Sequence, residues 1–140
     1  MDKTMRLIFH DDYRVDAEYK GFLIKTDQPV YQGGGATAPA PFDLFLTSIA
    51  TCAGLYAHSF LKSRNLPTSG LAVSLSTRLN PAEKRIDKIA IDIQLPPGFP
   101  AKYERALVKA VDSCAVKKHI VTPPEFEINT ITSIQDSVQP

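Results

Sequence analysis

Apolar and polar residues alternate along the first part of the chain. Met5, Leu7 and Phe9 share one side of "MRLIF", and Tyr13, Val15, Ala17 and Tyr19 share one side of "YRVDAEY". Alternation with period two predicts strands that bury one face. "HDD" at His10–Asp12 and "KG" at Lys20–Gly21 read as turns, and "FLIKT" resumes the strand pattern after the second. Such short spacing predicts antiparallel hairpins.

The pattern stops at "DQPVYQGGGATAPAP", Asp27 to Pro41, where glycines and prolines crowd together. That density predicts a loop, read here as a flexible connector packed near a helix start. Pro41 suits a first helical turn, where its missing N–H costs nothing, and Asp43 in the same turn favours the helix dipole. A helix is expected from there to about Arg64, stopped by "NLP" at Asn65–Pro67. Phe45, Ile49, Cys52, Tyr56 and Phe60 recur on one face. Leu44, Leu46, Ala50, Ala53, Leu55 and Ala57 cover much of the rest. A helix apolar nearly all round is buried on most sides. In a small domain this requires a sheet wrapped around it or a second subunit.

Alternation returns in "LAVSLSTRL" and "IDKIAIDIQL", joined by the polar turn "NPAEKR". This pair is the clearest hairpin in the chain. A second helix is expected after Pro100, with Tyr103, Ala106, Leu107, Ala110, Val111 and Cys114 along one stripe. Cys114 then lies in the last turn of that stripe, with "AVKKHI" as one further turn. "EFEINTI" predicts a closing strand, and "SIQDSVQP" a loose tail. Strands grouped apart from helices, in the order βββ–α–ββ–α–β, predict an α+β fold with antiparallel sheet.

The totals narrow the function. A chain of 140 residues fits one domain, residues 1–140. Its net charge of +1, with acids and bases intermixed, points to neither nucleic acid nor an anionic membrane. The start lacks a signal-peptide pattern. The apolar run around Leu44–Tyr56, interrupted by Thr47, Ser48 and Thr51, reads as too short to span a bilayer. The expected location is the cytoplasm. Thiols stay reduced there, so Cys52 and Cys114 are either inert core residues or a redox pair.

Other chemistries have little support. Gly33–Gly35 lacks the GxxxxGK[ST] context of a phosphate loop. His10, His58 and His119 are scattered, with no CxxC, HxxxH or HExxH, so no metal site is expected. Nothing in the spacing obliges a histidine to reach a thiolate. The two cysteines are 62 positions apart, each on the inward face of its own helix. Two inward faces in one small core can bring sulfurs together, yet free cysteine is also a common core filler.

The segments "APAPFDLFLTSIATCAGLYAHSFLKSRNL" and "ALVKAVDSCAVKKHI" resemble the two cysteine segments of the OsmC/Ohr family. The hairpin between them matches the family's central hairpin in length and placement. The resemblance implies antiparallel sheets wrapped round central helices in an intertwined homodimer. It also implies a thiol peroxidase for organic hydroperoxides or hydrogen peroxide, with Cys52 as peroxidatic and Cys114 as resolving cysteine. No metal, flavin or haem is implied, only an external thiol or dithiol reductant. Well-studied members use an arginine held by a glutamate ten residues before the first cysteine. That position is Phe42 here, with Asp43 beside it, and Arg14 is the candidate cation, with Lys20 behind it. Asp43 reads equally as a helix-dipole residue.

Three expectations follow. The first is a cytoplasmic, dimeric, cysteine-based peroxidase. The second is a non-enzymatic domain of the same family that binds a small apolar ligand at its dimer interface, lined by the apolar helix and the Gly/Pro loop. A minor third is sulfur transfer or thiol sensing through a Cys52 persulfide.

Overall fold

A computed structural model describes residues 4–132. The tail expected at Ser133–Pro140 lies outside the described residues. Three strands, β1 (Arg6–Phe9), β2 (Val15–Tyr19) and β3 (Phe22–Ile24), form an antiparallel sheet in the order β1-β2-β3. Leu7 pairs with Ala17, which pairs in turn with Ile24, so these three share a face. The β2–β3 turn is Lys20–Gly21, both at positive φ (52° and 81°). Two such residues make the tight turn whose twist matches the flanking strands.

The loop from Asp27 is pinned rather than flexible. The Asp27 carboxylate, 2% exposed, accepts from the amides of Gln28 (2.7 Å) and Thr37 (3.0 Å) and from the Thr37 hydroxyl (2.6 Å). These donors hold its pKa down at about 2, against a small opposing effect of burial. Gly34 lies so close to the Gln28 carbonyl that a Cβ there would stand 2.0 Å from the oxygen, so only glycine fits.

Helix α1 spans Pro41–Ser63. The Asp43 carboxylate accepts from the Ala40 amide at 2.9 Å, which is half a capping box, since alanine has no acceptor to return. Contrary to the expectation from the sequence, α1 is long and apolar enough by length and composition alone to cross a membrane (23 residues). Its C-terminal half packs into the core, while much of the rest is exposed in this chain. Ala53, Ala57, Phe60 and Leu61 join Leu107 and Val111 in the buried cluster. The hairpin of β4 (Ala72–Asn80) and β5 (Arg85–Gln94) supplies Val73, Ile91 and Ile93 against that cluster.

Two elements differ from expectation. The second helix does not run through Cys114. A 3-10 turn at Ala101–Tyr103 leads into α2 (Glu104–Asp112), the chain breaks at Ser113–Cys114, and α3 (Ala115–Val121) follows. The expected closing strand is also absent. Residues 123–132 carry no secondary structure, and Phe126, Ile128 and Ile131 are almost fully exposed. A strand exists only by pairing, and among the described residues no strand pairs with this stretch.

Much apolar surface has no cover within the chain. Phe42, Phe45 and Leu55 of α1 are exposed, as are Leu7, Phe9 and Phe22 of the first sheet. The all-round burial expected of α1 is therefore not achieved by this chain alone.

Candidate functional site: a paired thiol at a helix break

Cys52 sits in the middle of α1, half-buried, between the buried residues Ile49 and Ala53. Cys114 stands at the break between α2 and α3 and is 2% exposed. Packing of α1 against α2 and α3 brings the two sulfurs within hydrogen-bonding reach, and both are free thiols. The 62 intervening positions are closed by the β4–β5 hairpin, which folds back so that both helices lie on one core.

The two sulfurs differ in surroundings. Burial works to push the Cys52 thiol up. Against it, the nearby Cys114 S–H and the backbone N–H groups of Val116 and Ala115 favour the Cys52 thiolate, and the net effect is a pKa below the ordinary thiol value. Hydrogen bonds to the charged form favour that form. Burial pushes Cys114 up, and so does its donation to Cys52, while the amides of Lys117 and Val116 offset only part of this. Cys52 is thus the sulfur that ionises first, and it is also the more accessible of the two.

The donors to Cys52 were not visible in the sequence reading. Cys52 is remote from the start of its own helix, Pro41, so that helix supplies no start amides to it. The amides come instead from α3, whose first turn is freed by the break at Cys114. One signal pointed to that break. If the apolar stripe of α2 continued past Cys114, its next positions would be 117 and 118, and both are lysine.

The other sequence candidates lie elsewhere. Asp43 is nine residues before Cys52, about 13 Å along the helix axis, and is occupied with the Ala40 amide. Arg14 is in the β1–β2 turn, paired with Asp12 at 2.9 Å, and it does not reach Cys52. Lys20 lies at the β2–β3 turn over the Tyr19 ring. The chain itself brings no cation to the Cys52 sulfur among the described residues. His10 contacts the buried Asp16 at 2.9 Å, and His119 contacts the Ala115 carbonyl at 2.7 Å. Neither is grouped with enough donors to hold a metal ion, and no such group occurs among the described residues.

A groove of about 610 Å³ runs between α1, β5, α2 and α3, lined by Ile49, Ile89, Ile91, Val108 and Ile120 and bordered by both acids (Asp87, Asp92, Asp112) and bases (Lys88, Lys117); neither cysteine lines it. Ile49 is one helical turn before Cys52. The Gly/Pro loop does not line this groove, which is formed within one chain.

The arrangement of two apposed thiols on separate helices, joined through a β-hairpin, can now be set beside known proteins. The sequence profile described as OsmC-like protein matches residues 33–129, well over half of the chain and inclusive of both cysteines. The chain belongs to the OsmC-like protein family. No curated protein matches it in sequence. Among solved structures, it is similar to a protein from Psychrobacter arcticus described as osmotic stress induced and of the detoxification response. The TM-score is 0.69 at 22% identity, over 82% of this chain and 85% of that one. An OsmC-like protein from Mycoplasma pneumoniae matches with a TM-score of 0.64 at 16% identity, over 86% of this chain and 88% of the other. An organic hydroperoxide resistance protein OsmC from Legionella pneumophila, also described as a redox protein, matches with a TM-score of 0.56 at 17% identity, over 86% and 89%. At these identities the likeness speaks for the fold, and it agrees with the α+β arrangement of antiparallel sheets and helices.

Proposed function

We propose that this OsmC-like protein is a thiol peroxidase for organic hydroperoxides, working through Cys52 and Cys114. The observation that carries the reading is the apposition of the two sulfurs with their pKa values pushed apart, Cys52 down and Cys114 up. Paired groups with divergent pKa values take different roles. The Cys52 thiolate attacks one peroxide oxygen. The O–O bond breaks, the alkoxide leaves and takes a proton to become the alcohol, and Cys52 is oxidised by two electrons to a sulfenic acid. Cys114 then attacks that sulfur. An S–S bond forms, and hydroxide leaves with the Cys114 proton as water. An external thiol or dithiol returns the pair to the reduced state by exchange and is itself oxidised to a disulfide.

The same reading places the protein in the cytoplasm as a homodimer. Support for the dimer is the uncovered apolar surface of β1–β3, of α1 and of residues 123–132, which is more than a monomer leaves exposed without reason. A second copy is also the remaining source of a cation for Cys52, since Arg14 is held by Asp12 within its own chain.

Stopped-flow oxidation by cumene hydroperoxide tests the activity. Wild type should consume peroxide rapidly, and Cys52→Ser should not. Equal, slow consumption by both would end the proposal. The apolar groove favours one alternative, a domain that holds a small apolar ligand. A ligand that co-purifies in native mass spectra and stays bound in Cys52→Ala would support that reading instead.

A further inference from the structure

The segment from Ala106 to His119 contains neither glycine nor proline, yet its helix stops at Asp112 and restarts at Ala115. An interruption without a helix-breaking residue needs a compensating interaction. Several are present. The Ser113 amide (3.2 Å) and hydroxyl (2.7 Å) both donate to the Ala110 carbonyl, and the Cys114 amide donates to Val111 at 3.1 Å. The Cys114 carbonyl accepts from Lys118 at 3.0 Å, the first bond of α3. Across the gap, the Lys117 ammonium is ion-paired with the Asp112 carboxylate.

That ion pair discriminates between two conformations. In a continuous helix, residues five apart point about 140° away from each other, so Asp112 and Lys117 cannot meet. They meet only when the helix is broken. The broken form also decides where the amides of Ala115 and Val116 go. In a continuous helix they would bond to the carbonyls four residues earlier, Val111 and Asp112. In the broken form they are freed from the helix ladder and favour the Cys52 thiolate.

We propose that Asp112 and Lys117 are positioning residues for the Cys52 thiolate, an exposed clasp that holds the α2–α3 break open so that the Ala115 and Val116 amides face the sulfur. The inference rests on Cys52 being the reacting thiol. Both residues act through the backbone, and the clasp serves any reaction that needs an ionised Cys52.

The test is the pH profile of Cys52 alkylation by iodoacetamide in the full-length protein, read peptide by peptide so that Cys114 is scored separately. Asp112→Asn and Lys117→Met should each move the midpoint to higher pH and slow alkylation at neutral pH by about two- to fivefold, the range an exposed ion pair can supply. The charge-swapped double variant Asp112→Lys with Lys117→Asp should restore the wild-type profile. Lys118→Met, which removes a neighbouring charge without touching the clasp, should titrate like wild type. Unchanged profiles in the single variants, a swap that stays as slow as they are, or an equal shift in Lys118→Met would each overturn the proposal. Alkylation requires no peroxide turnover. A clasp effect in a protein whose wild type ignores peroxide would therefore support the clasp while removing the peroxidase reading.

Discussion

The helical half of the molecule and its N-terminal sheet solve the burial problem differently. In the helical half, α1, α2 and the β4–β5 hairpin close a core around Leu61 and Leu107, neither more than 1% exposed. The sheet β1–β3 has alternating strands and correct turns, yet Phe9 is 74% exposed and, among the described residues, no helix makes an extensive contact with the sheet. Amphipathic patterning thus establishes which face of an element must be covered, but not by which chain. Both sulfurs lie in the half that closes a core within one chain, although α1 still exposes Phe42, Phe45 and Leu55 there. The largest uncovered sheet face belongs to the other half.

The largest expected effect sharpens that division. Cys52→Ser should lower peroxide consumption on the order of a thousandfold or more, as loss of a nucleophile does, with the fold intact. Cys114→Ser should still react once and then stall for want of a resolving thiol. Next, Leu107→Ala should destabilise the helical half by about 3 kcal/mol in denaturant unfolding, because a fully buried leucine leaves a cavity. Phe9→Glu should leave that core unchanged and instead weaken self-association by roughly tenfold, seen by light scattering across a dilution series. If Phe9→Glu associates like wild type, the sheet is not part of an interface. The smallest effect concerns the loop between the halves. The Asp27 carboxyl is held at about 2, below its unfolded value of 3.8, so its contribution to stability is fully present above the unfolded value and is lost as pH falls through 2. Asp27→Asn should be less stable at neutral pH and show a flatter stability profile in that acidic window.

Most elements were legible because periodicity reports burial directly. The hairpins, α1 and the α2 stripe follow from alternation and from i, i+3, i+4 spacing. The inward faces of Cys52 and Cys114 followed from the same spacing, whereas spacing left open whether the two sulfurs meet, and only the family resemblance implied a pair. Three features were hidden for physical reasons. The break at Cys114 depends on an i, i+5 ion pair that helical reasoning does not weigh. The pinned loop depends on one buried acid, Asp27, whose donors come from residues on both sides of a glycine run. The missing strand at 125–131 is patterned as a strand but has no partner edge in its own chain. Asp43 and Arg14 carried residue types that suit thiolate activation, but their local partners, Ala40 and Asp12, occupy them.

The central claim is that Cys52 and Cys114 form one redox unit in which Cys52 reacts first. The most direct measurement is intact mass and non-reducing peptide mapping after one equivalent of an organic hydroperoxide is added to the reduced protein. The account predicts loss of two hydrogen atoms and a Cys52–Cys114 cross-linked peptide, with sulfenic acid trapped on Cys52 when Cys114 is replaced by serine. Two thiols that both remain free to alkylate, or oxygen added to Cys114 ahead of Cys52, would contradict it.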